Sequence, residues 1–256
     1  MARTDAGLLA LIERYYDAAP RASATTQEVG PFTLFLRSDP RGWPFYARPR
    51  SGEDVAPTAD DVRTVLERQR ELAIPQQLEW VGEVVPGLVA AARDAGMVVH
   101  EHPLMVLAQP LPAPQVPGVE VRLLAGDDPT LGAVHSAIGA GFEESDDVGS
   151  ADAPYLRDRV VSGLIRLFGA YESGEPLGGG SHQPNDAVTE LTGIAVVPRA
   201  RRRGVGAAIT AALVEDAHAL GVSTVFLSAG SQRVADVYAR VGFTRVATAC
   251  IAEAGT

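Results

Sequence analysis

One stretch of this 256-residue sequence concentrates residues that could bind an anion. The segment ELTGIAVVPRARRRGVGAAITAALVEDAHALG begins at Glu190, and its apolar part ends at Pro198. Arginines follow, and then Gly204 and Gly206 open an apolar-faced helix. Free amides at a helix start carry the positive end of the helix dipole, and glycines let a ligand approach the backbone closely. Since arginines add charge and bidentate hydrogen bonds to phosphate oxygens, the pattern predicts a phosphate-binding turn.

Three kinds of phosphate-binding loop place glycines at a helix start. A Walker loop needs a lysine followed by Ser or Thr after its glycines, and this segment has no lysine. A dinucleotide fingerprint needs a third small residue, where this sequence has Ile209, and it belongs in the first strand–helix turn of its fold. The third pattern fits better: Arg201–Gly206 (RRRGVG) resembles the R/Q-x-x-G-x-G/A pyrophosphate motif of the GNAT (GCN5-related) N-acetyltransferases.

The surroundings of the motif strengthen this resemblance. An apolar strand followed by Val-Pro precedes it, and Ser231–Phe243 (SQRVADVYARVGF) is similar to the last helix of the family, which precedes a Gly-Phe turn into the final strand. The resemblance covers about residues 119–256, and agreement at several levels is unlikely by chance. Two positions depart from the family pattern: Arg202 stands where glycine is usual, and Ser231 where asparagine is common.

The resemblance implies roles for particular residues. Tyr238 would be the general acid that protonates the departing thiolate, the alternative being a core tyrosine. Glu190 is the candidate base for the amine, although the family uses no fixed residue for this task. Backbone amides of Ile194 and Val196 would hold the pantetheine arm and the thioester carbonyl, unless both are plain sheet residues. The full predicted cofactor-binding set is Ile194, Ala195, Val196, Arg201, Arg202, Arg203, Gly204, Val205, Gly206, Ala207 and Ser231.

The implied activity is transfer of an acetyl or short acyl group from acetyl-CoA to a primary amine, by direct attack in a ternary complex. The acceptor would be a small molecule or a peptide. A non-catalytic acyl-CoA-binding sensor or scaffold is the alternative. The acidic segment 142–147 (FEESDD) would suit a cationic acceptor, but a solvated loop is at least as good an interpretation.

The elements that position these residues form a mixed α/β fold. From Val119 the pattern predicts strand–helix–helix–strand–strand–strand–helix–strand–helix–strand, typical of a mixed sheet with parallel crossovers. Four prolines between Gln109 and Gly118 predict a linker. We therefore expect an N-terminal α/β domain (1–110), a linker (111–118) and a GNAT domain (119–256). The N-terminal half, predicted as three helices alternating with three strands, is consistent with a degenerate copy of the same fold without the phosphate turn.

Composition excludes several partner classes. A formal charge of −10 argues against nucleic acid, and no apolar run approaches the roughly 20 residues that cross a bilayer. The single cysteine, Cys250, excludes an internal disulfide and fits the cytoplasm. Alternate residues His100 and His102 lack further ligands nearby in the sequence, so we expect no metal. A homo-oligomer is compatible with the sequence.

Overall fold

The computed structural model describes residues 6–42, 46–52, 56–112, 114–149 and 151–255. Within these ranges the chain alternates helices and strands in the order α1 (Ala6–Arg21), β1 (Ala24–Val29), β2 (Phe32–Arg37), β3 (Ala47–Pro49), α2 (Ala59–Glu71), β4 (Gln77–Val81), α3 (Leu88–Asp94), β5 (Met97–Leu107), β6 (Val119–Leu123), α4 (Leu131–Phe142), α5 (Pro154–Val161), β7 (Arg166–Glu172), β8 (Glu175–Asn185), β9 (Val188–Val196), α6 (Val205–Ala219), β10 (Thr224–Ser228), α7 (Gln232–Ala239) and β11 (Phe243–Ala254). The mixed α/β class expected from the sequence is confirmed.

The chain divides into two compact units. Unit 1 comprises Met1–Leu104, Ser228–Gln232 and Arg245–Thr256, and unit 2 comprises Met105–Leu227 and Arg233–Thr244. The boundaries of these units differ from those of the expected domains (1–110 and 119–256), because most of β11 belongs to unit 1. The physical reason is strand pairing: Ala249 to Glu253 of β11 pair antiparallel with Val81 to Gln77 of β4.

In unit 1 the strands follow the order β1-β2-β3-β4-β11-β5. One face of this sheet packs α2 and α3 around a core that contains Phe32, Leu34 and Trp80. The start of α2 is fixed by a reciprocal capping box between Thr58 and Asp61. Cys250 lies in this core with 1% of its surface exposed.

A charged cluster lies in the same unit, beside α1. Arg48 is 3% exposed, and its guanidinium is 3.2 Å from Glu13 Oε1 and 3.8 Å from Glu79 Oε2. The same guanidinium stacks over the Tyr16 ring at 4.1 Å from its centroid. Burial raises the pKa of Glu79 to about 7, against the opposing charge of Arg48. The cluster therefore makes the stability of unit 1 depend on pH.

In unit 2 the strands follow the order β10-β9-β8-β7-β6, antiparallel except for the β9–β10 pair. Helices α4 and α6 both pack against β8 and β9. The linker begins against the end of α7: Leu111 N donates to Val241 O at 3.3 Å, and a Cβ on Gly242 would lie 1.8 Å from Gln109 O. Gly242, with φ of +104°, is thus required for this close approach.

The described ranges contain neither a membrane-spanning helix nor a cluster of metal ligands. No helix there has both the length and the apolar character that crossing a bilayer requires. Among the same residues, no three His, Cys, Asp or Glu side chains are gathered as a metal site would need, and His100 and His102 stack on each other along β5.

Candidate active site

The phosphate-binding turn predicted from the sequence joins β9 to α6. Arg202 and Gly204 adopt the left-handed conformation, with φ of +58° and +92°. The first hydrogen bond of α6 runs from Ala208 N to Gly204 O at 2.9 Å. Within the described part of the chain, the amides of residues 202–207 therefore have no acceptor. Free amides at the positive end of a 15-residue helix form an anion site.

The arginines of the turn differ in their partners. Arg199 and Arg203 are ion-paired with Asp146 and Glu172, and Arg201 with Glu144. Arg202 is exposed and has neither an ion-pair nor a hydrogen-bond partner among the residues described. Its guanidinium is thus the one of these four that can meet an incoming anion without giving up a contact.

Arg201 ties three segments together. Its Nε donates to Val196 O at the end of β9 at 3.0 Å, and its Nη2 donates to Gly141 O in the last turn of α4 at 2.6 Å. The third contact is the ion pair with Glu144. Gly141 itself approaches β9 so closely that a Cβ would lie 3.0 Å from Val196 N. Arg201 therefore holds α4, β9 and the turn in register, and the direct phosphate contact expected of it stays a prediction.

The acidic segment 142–147 is engaged by the same turn. Asp146 accepts a hydrogen bond from the Arg199 amide at 2.8 Å, and Glu144 pairs with Arg201. Two of the carboxylates expected to attract a cationic acceptor are thus neutralised by arginines. This arrangement argues against the acidic loop as a pocket for a polycation.

Strand β9 changes face at a bulge. Gly179 is paired with Ala195, and Ser181 with Thr192, so Gly193 and Ile194 stand opposite the single residue Gly180. Gly193 has a φ of +63°, as a bulge of this kind requires. Ile194 lies on the α6 side, where a Cβ on Gly180 would be 2.8 Å from Ile194 Cγ1 and 3.2 Å from Ile209 Cγ2. Glu190 and Thr192, before the bulge, therefore lie on the opposite face from Ile194.

Beyond Glu190, β9 parts from its neighbour β10. The parallel register pairs 188–190 with 224–226 and extends no further among the described residues. Val197 N donates to Leu177 O at 2.9 Å, toward β8. Since N–H directions alternate along a strand, the amides of Val196 and Ile194 point to the other edge, which β10 has left. Among the described residues, the β9–β10 pairing does not reach this part of β9.

A buried network braces the strands behind Glu190. His182 Nε2 lies 2.9 Å from Asp216 of α6, His182 Nδ1 lies 3.2 Å from the Thr189 hydroxyl, and Arg166 also binds Asp216. Burial lowers the pKa of His182, which therefore stays neutral near pH 7. The network fixes Thr189, the residue before Glu190, through His182, and both of these residues are fully buried.

The two predicted catalytic side chains lie on different elements. Tyr238 is on α7, 8% exposed, with its ring 6.1 Å from the ring of Phe243. Burial raises the pKa of Tyr238 to about 12, so its hydroxyl keeps its proton at neutral pH. Glu190 is half-buried on β9. Ser231 directly precedes α7 and belongs to unit 1, whereas the other predicted site residues belong to unit 2.

Two features of the site were not expected from the sequence. Gly141 allows α4 to reach the β9 backbone, and nothing in the local sequence marks it out. The bulge at Gly193 does have a signal, because a glycine inside an apolar strand is typical of a bulge.

Comparison with known proteins places the site in a family context. The model of the acetyltransferase (GNAT) family matches residues 135–243, which span α4 to the start of β11. None of the curated proteins matches the chain in sequence.

Solved structures match nearly the whole chain. A GCN5-related N-acetyltransferase from Kribbella flavida has a TM-score of 0.74 and 21% identity, with 98% of each chain covered. One from Sphaerobacter thermophilus has a TM-score of 0.60 and 17% identity, covering 98% of this chain and 94% of its own. A tandem GNAT protein from the clavulanic acid biosynthesis pathway has a TM-score of 0.54 and 18% identity, covering 88% and 79%. At these identities the likeness concerns the fold.

Proposed function

Because the C-terminal half of this chain carries an acetyltransferase domain of the GNAT family, we propose that the protein transfers an acetyl or short acyl group from coenzyme A to a primary amine. One observation carries the proposal: a strand edge with free amides leads directly into a helix start with free amides. The first suits a thioester on an extended arm and the second suits its diphosphate.

The residues around the turn fit coenzyme A. The amides of residues 202–207 would hold the pyrophosphate, and the unpaired guanidinium of Arg202 would add charge. A Cβ built on Gly206 would lie 3.8 Å from Val196 Cγ2, so the end of β9 and the start of α6 are adjacent. Along β9, the amides of Ile194 and Val196 would hold the arm and the carbonyl oxygen. We assign Ala195, Val205 and Ala207 to the same binding region.

The chemistry needs no covalent enzyme intermediate. The amine nitrogen attacks the thioester carbonyl carbon, its lone pair forms the new C–N bond, and the carbonyl oxygen takes up negative charge. A β9 amide that is already oriented stabilises this oxyanion. Glu190 accepts the proton that the nitrogen loses, directly or through water. The carbonyl then re-forms as the C–S bond breaks, and its electron pair leaves on the thiolate.

Tyr238 would assist departure of the thiolate. Complete proton transfer from a phenol of pKa about 12 to a thiolate whose acid has a pKa of about 8.5 is uphill by about 5 kcal/mol. A hydrogen bond donated to the sulfur as charge develops has no such cost. We therefore assign Tyr238 first to stabilising the thiolate and only then to delivering a proton.

We assign one coenzyme A site to each chain, at the β9–α6 turn. The expected N-terminal domain (1–110) contains no arginine-glycine turn before a helix, and we propose that it is a degenerate copy of the GNAT domain (119–256). The structural match to a tandem GNAT protein supports this assignment.

Calorimetry and thiol release test the proposal in sequence. Acetyl-CoA should bind with a stoichiometry of one per chain, whereas no binding would remove the proposal altogether. Release of free thiol from acetyl-CoA is then followed with a panel of amines, using an amine-free reaction as the control. Turnover that depends on the amine supports the enzyme, and binding without turnover on any amine would leave the acyl-CoA sensor.

A further inference from the structure

The acidic segment 142–147 is docked onto the residues that lead into the phosphate-binding turn. Asp146 Oδ1 accepts a hydrogen bond from Arg199 N at 2.8 Å, and the Arg199 guanidinium donates to Asp146 O at 3.0 Å. Glu144 forms an ion pair with Nη1 of Arg201. The partners lie 53 and 57 positions apart in the chain, so no local sequence preference brings them together.

Glu144 occupies a position that local structure disfavours for an acidic residue. Helix α4 ends in a Schellman-type turn, in which Ser145 N donates to Ala140 O at 2.8 Å and Glu144 has a φ of +57°. Glycine is the usual residue at this position, because a side chain strains the left-handed conformation. A carboxylate there also meets the negative end of the helix dipole. The ion pair with Arg201 offsets both penalties.

The carboxylate of Glu144 lies where an incoming diphosphate needs positive charge. Arg201 directly precedes the amides of residues 202–207, which we assign to the diphosphate. Its Nε and Nη2 donate to the carbonyl oxygens of Val196 and Gly141, whereas its Nη1 binds Glu144. Carboxylate and phosphate oxygens both accept charge-assisted hydrogen bonds from a guanidinium. Exchange of this carboxylate for a phosphate oxygen therefore leaves the other two bonds of Arg201 intact.

We propose that the acidic segment 142–147 competes with coenzyme A for Arg199 and Arg201. In the free protein its carboxylates hold the two arginines, and on binding the diphosphate takes their place. The side chains of Glu144 and Asp146 are 72% and 49% exposed. Because exposed ion pairs are weak, a ligand that also gains the amides of the turn displaces them. The segment is thus released only when the donor site is filled. This inference rests on the proposed binding of coenzyme A at the β9–α6 turn.

Neutral side chains of the same shape test the competition. Glu144→Gln and Asp146→Asn each remove one competing charge, so calorimetry should show acetyl-CoA binding about threefold tighter in each and about tenfold tighter in the double variant. Glu144→Gly is a second variant at the first position, because it removes the carboxylate and fits the left-handed turn. It should bind acetyl-CoA at least as tightly as Glu144→Gln does.

Glu143→Gln and Asp147→Asn are the matched controls, because they change the charge of the same segment equally. Among the described residues, neither carboxylate is paired with an arginine. Their affinity for acetyl-CoA should therefore stay within about twofold of the parent. Equal tightening in the controls, or unchanged or weaker binding when Glu144 and Asp146 are neutralised, would overturn the inference while coenzyme A binding stands. Absence of acetyl-CoA binding to the parent would overturn the proposed function as well.

Discussion

Arg202 occupies a backbone conformation that normally belongs to glycine. Its φ of +58° costs a residue with a side chain about 1–2 kcal/mol. Replacement by glycine removes this strain but adds freedom to the unfolded chain, which opposes the gain by about 0.5–1 kcal/mol. Replacement by alanine keeps the strain and removes the same guanidinium. Arg202→Gly should therefore be more stable than Arg202→Ala by about 1 kcal/mol.

Thermal unfolding of the two variants measures the strain. For a chain of this size, about 1 kcal/mol corresponds to a difference of about 2–4 °C in Tm. Both variants lose the same exposed charge, so calorimetry should show affinity for coenzyme A reduced about fivefold in each, or about 1 kcal/mol. This reduction should shrink at high ionic strength. An alanine variant as stable as the glycine variant would refute the strain argument, and unchanged affinity in both would remove Arg202 from the phosphate site.

Three further perturbations test other parts of the molecule. Gly206→Val should weaken coenzyme A binding at least about tenfold in calorimetry. Its Tm should change little, because a Cβ at this position meets only Val196 Cγ2 at 3.8 Å. Retained affinity would mean that the diphosphate binds elsewhere. Tyr238→Phe should lower kcat without changing affinity for coenzyme A, and a variant as fast as the parent would exclude Tyr238 from the chemistry. Because the pKa of Tyr238 is about 12, the pH profile of kcat for the parent should show no tyrosine ionisation between pH 7 and 10. Burial raises the pKa of Glu79 from 4.5 to about 7, so the folded state binds the proton more tightly than the unfolded state. As the pH rises from 4.5 to 7, the free energy of unfolding should therefore fall by at most about 3 kcal/mol. Glu79→Gln should flatten this dependence in denaturant titrations, and an unchanged dependence of the unfolding free energy on pH would contradict the assignment.

Much of the fold was accessible from local patterns. The order of helices and strands from Val119 onward and the helix that follows Gly204 agree with the sequence-based predictions. Strands β1 and β3 were missed. The first carries polar side chains with no clean alternation, and the second has three residues and includes a proline, so neither has a period-2 signal.

Local sequence also determined the phosphate-binding turn, because its amides, glycines and helix dipole are properties of neighbouring residues. Which arginines of the turn form ion pairs depends instead on the tertiary structure. Glu144 lies 57 positions before Arg201, and the pair forms because α4 ends against β9. Among the described residues, Arg202 is then the arginine of the turn without an ion-pair partner. In the same way, β11 joins β4 in unit 1 through a pairing that no local pattern encodes. Gln183 stands directly opposite Glu190 only through the register of β8 and β9. The proposed donor site is therefore encoded largely in one continuous segment, whereas the face that carries Glu190 exists only once β8 and β9 are paired.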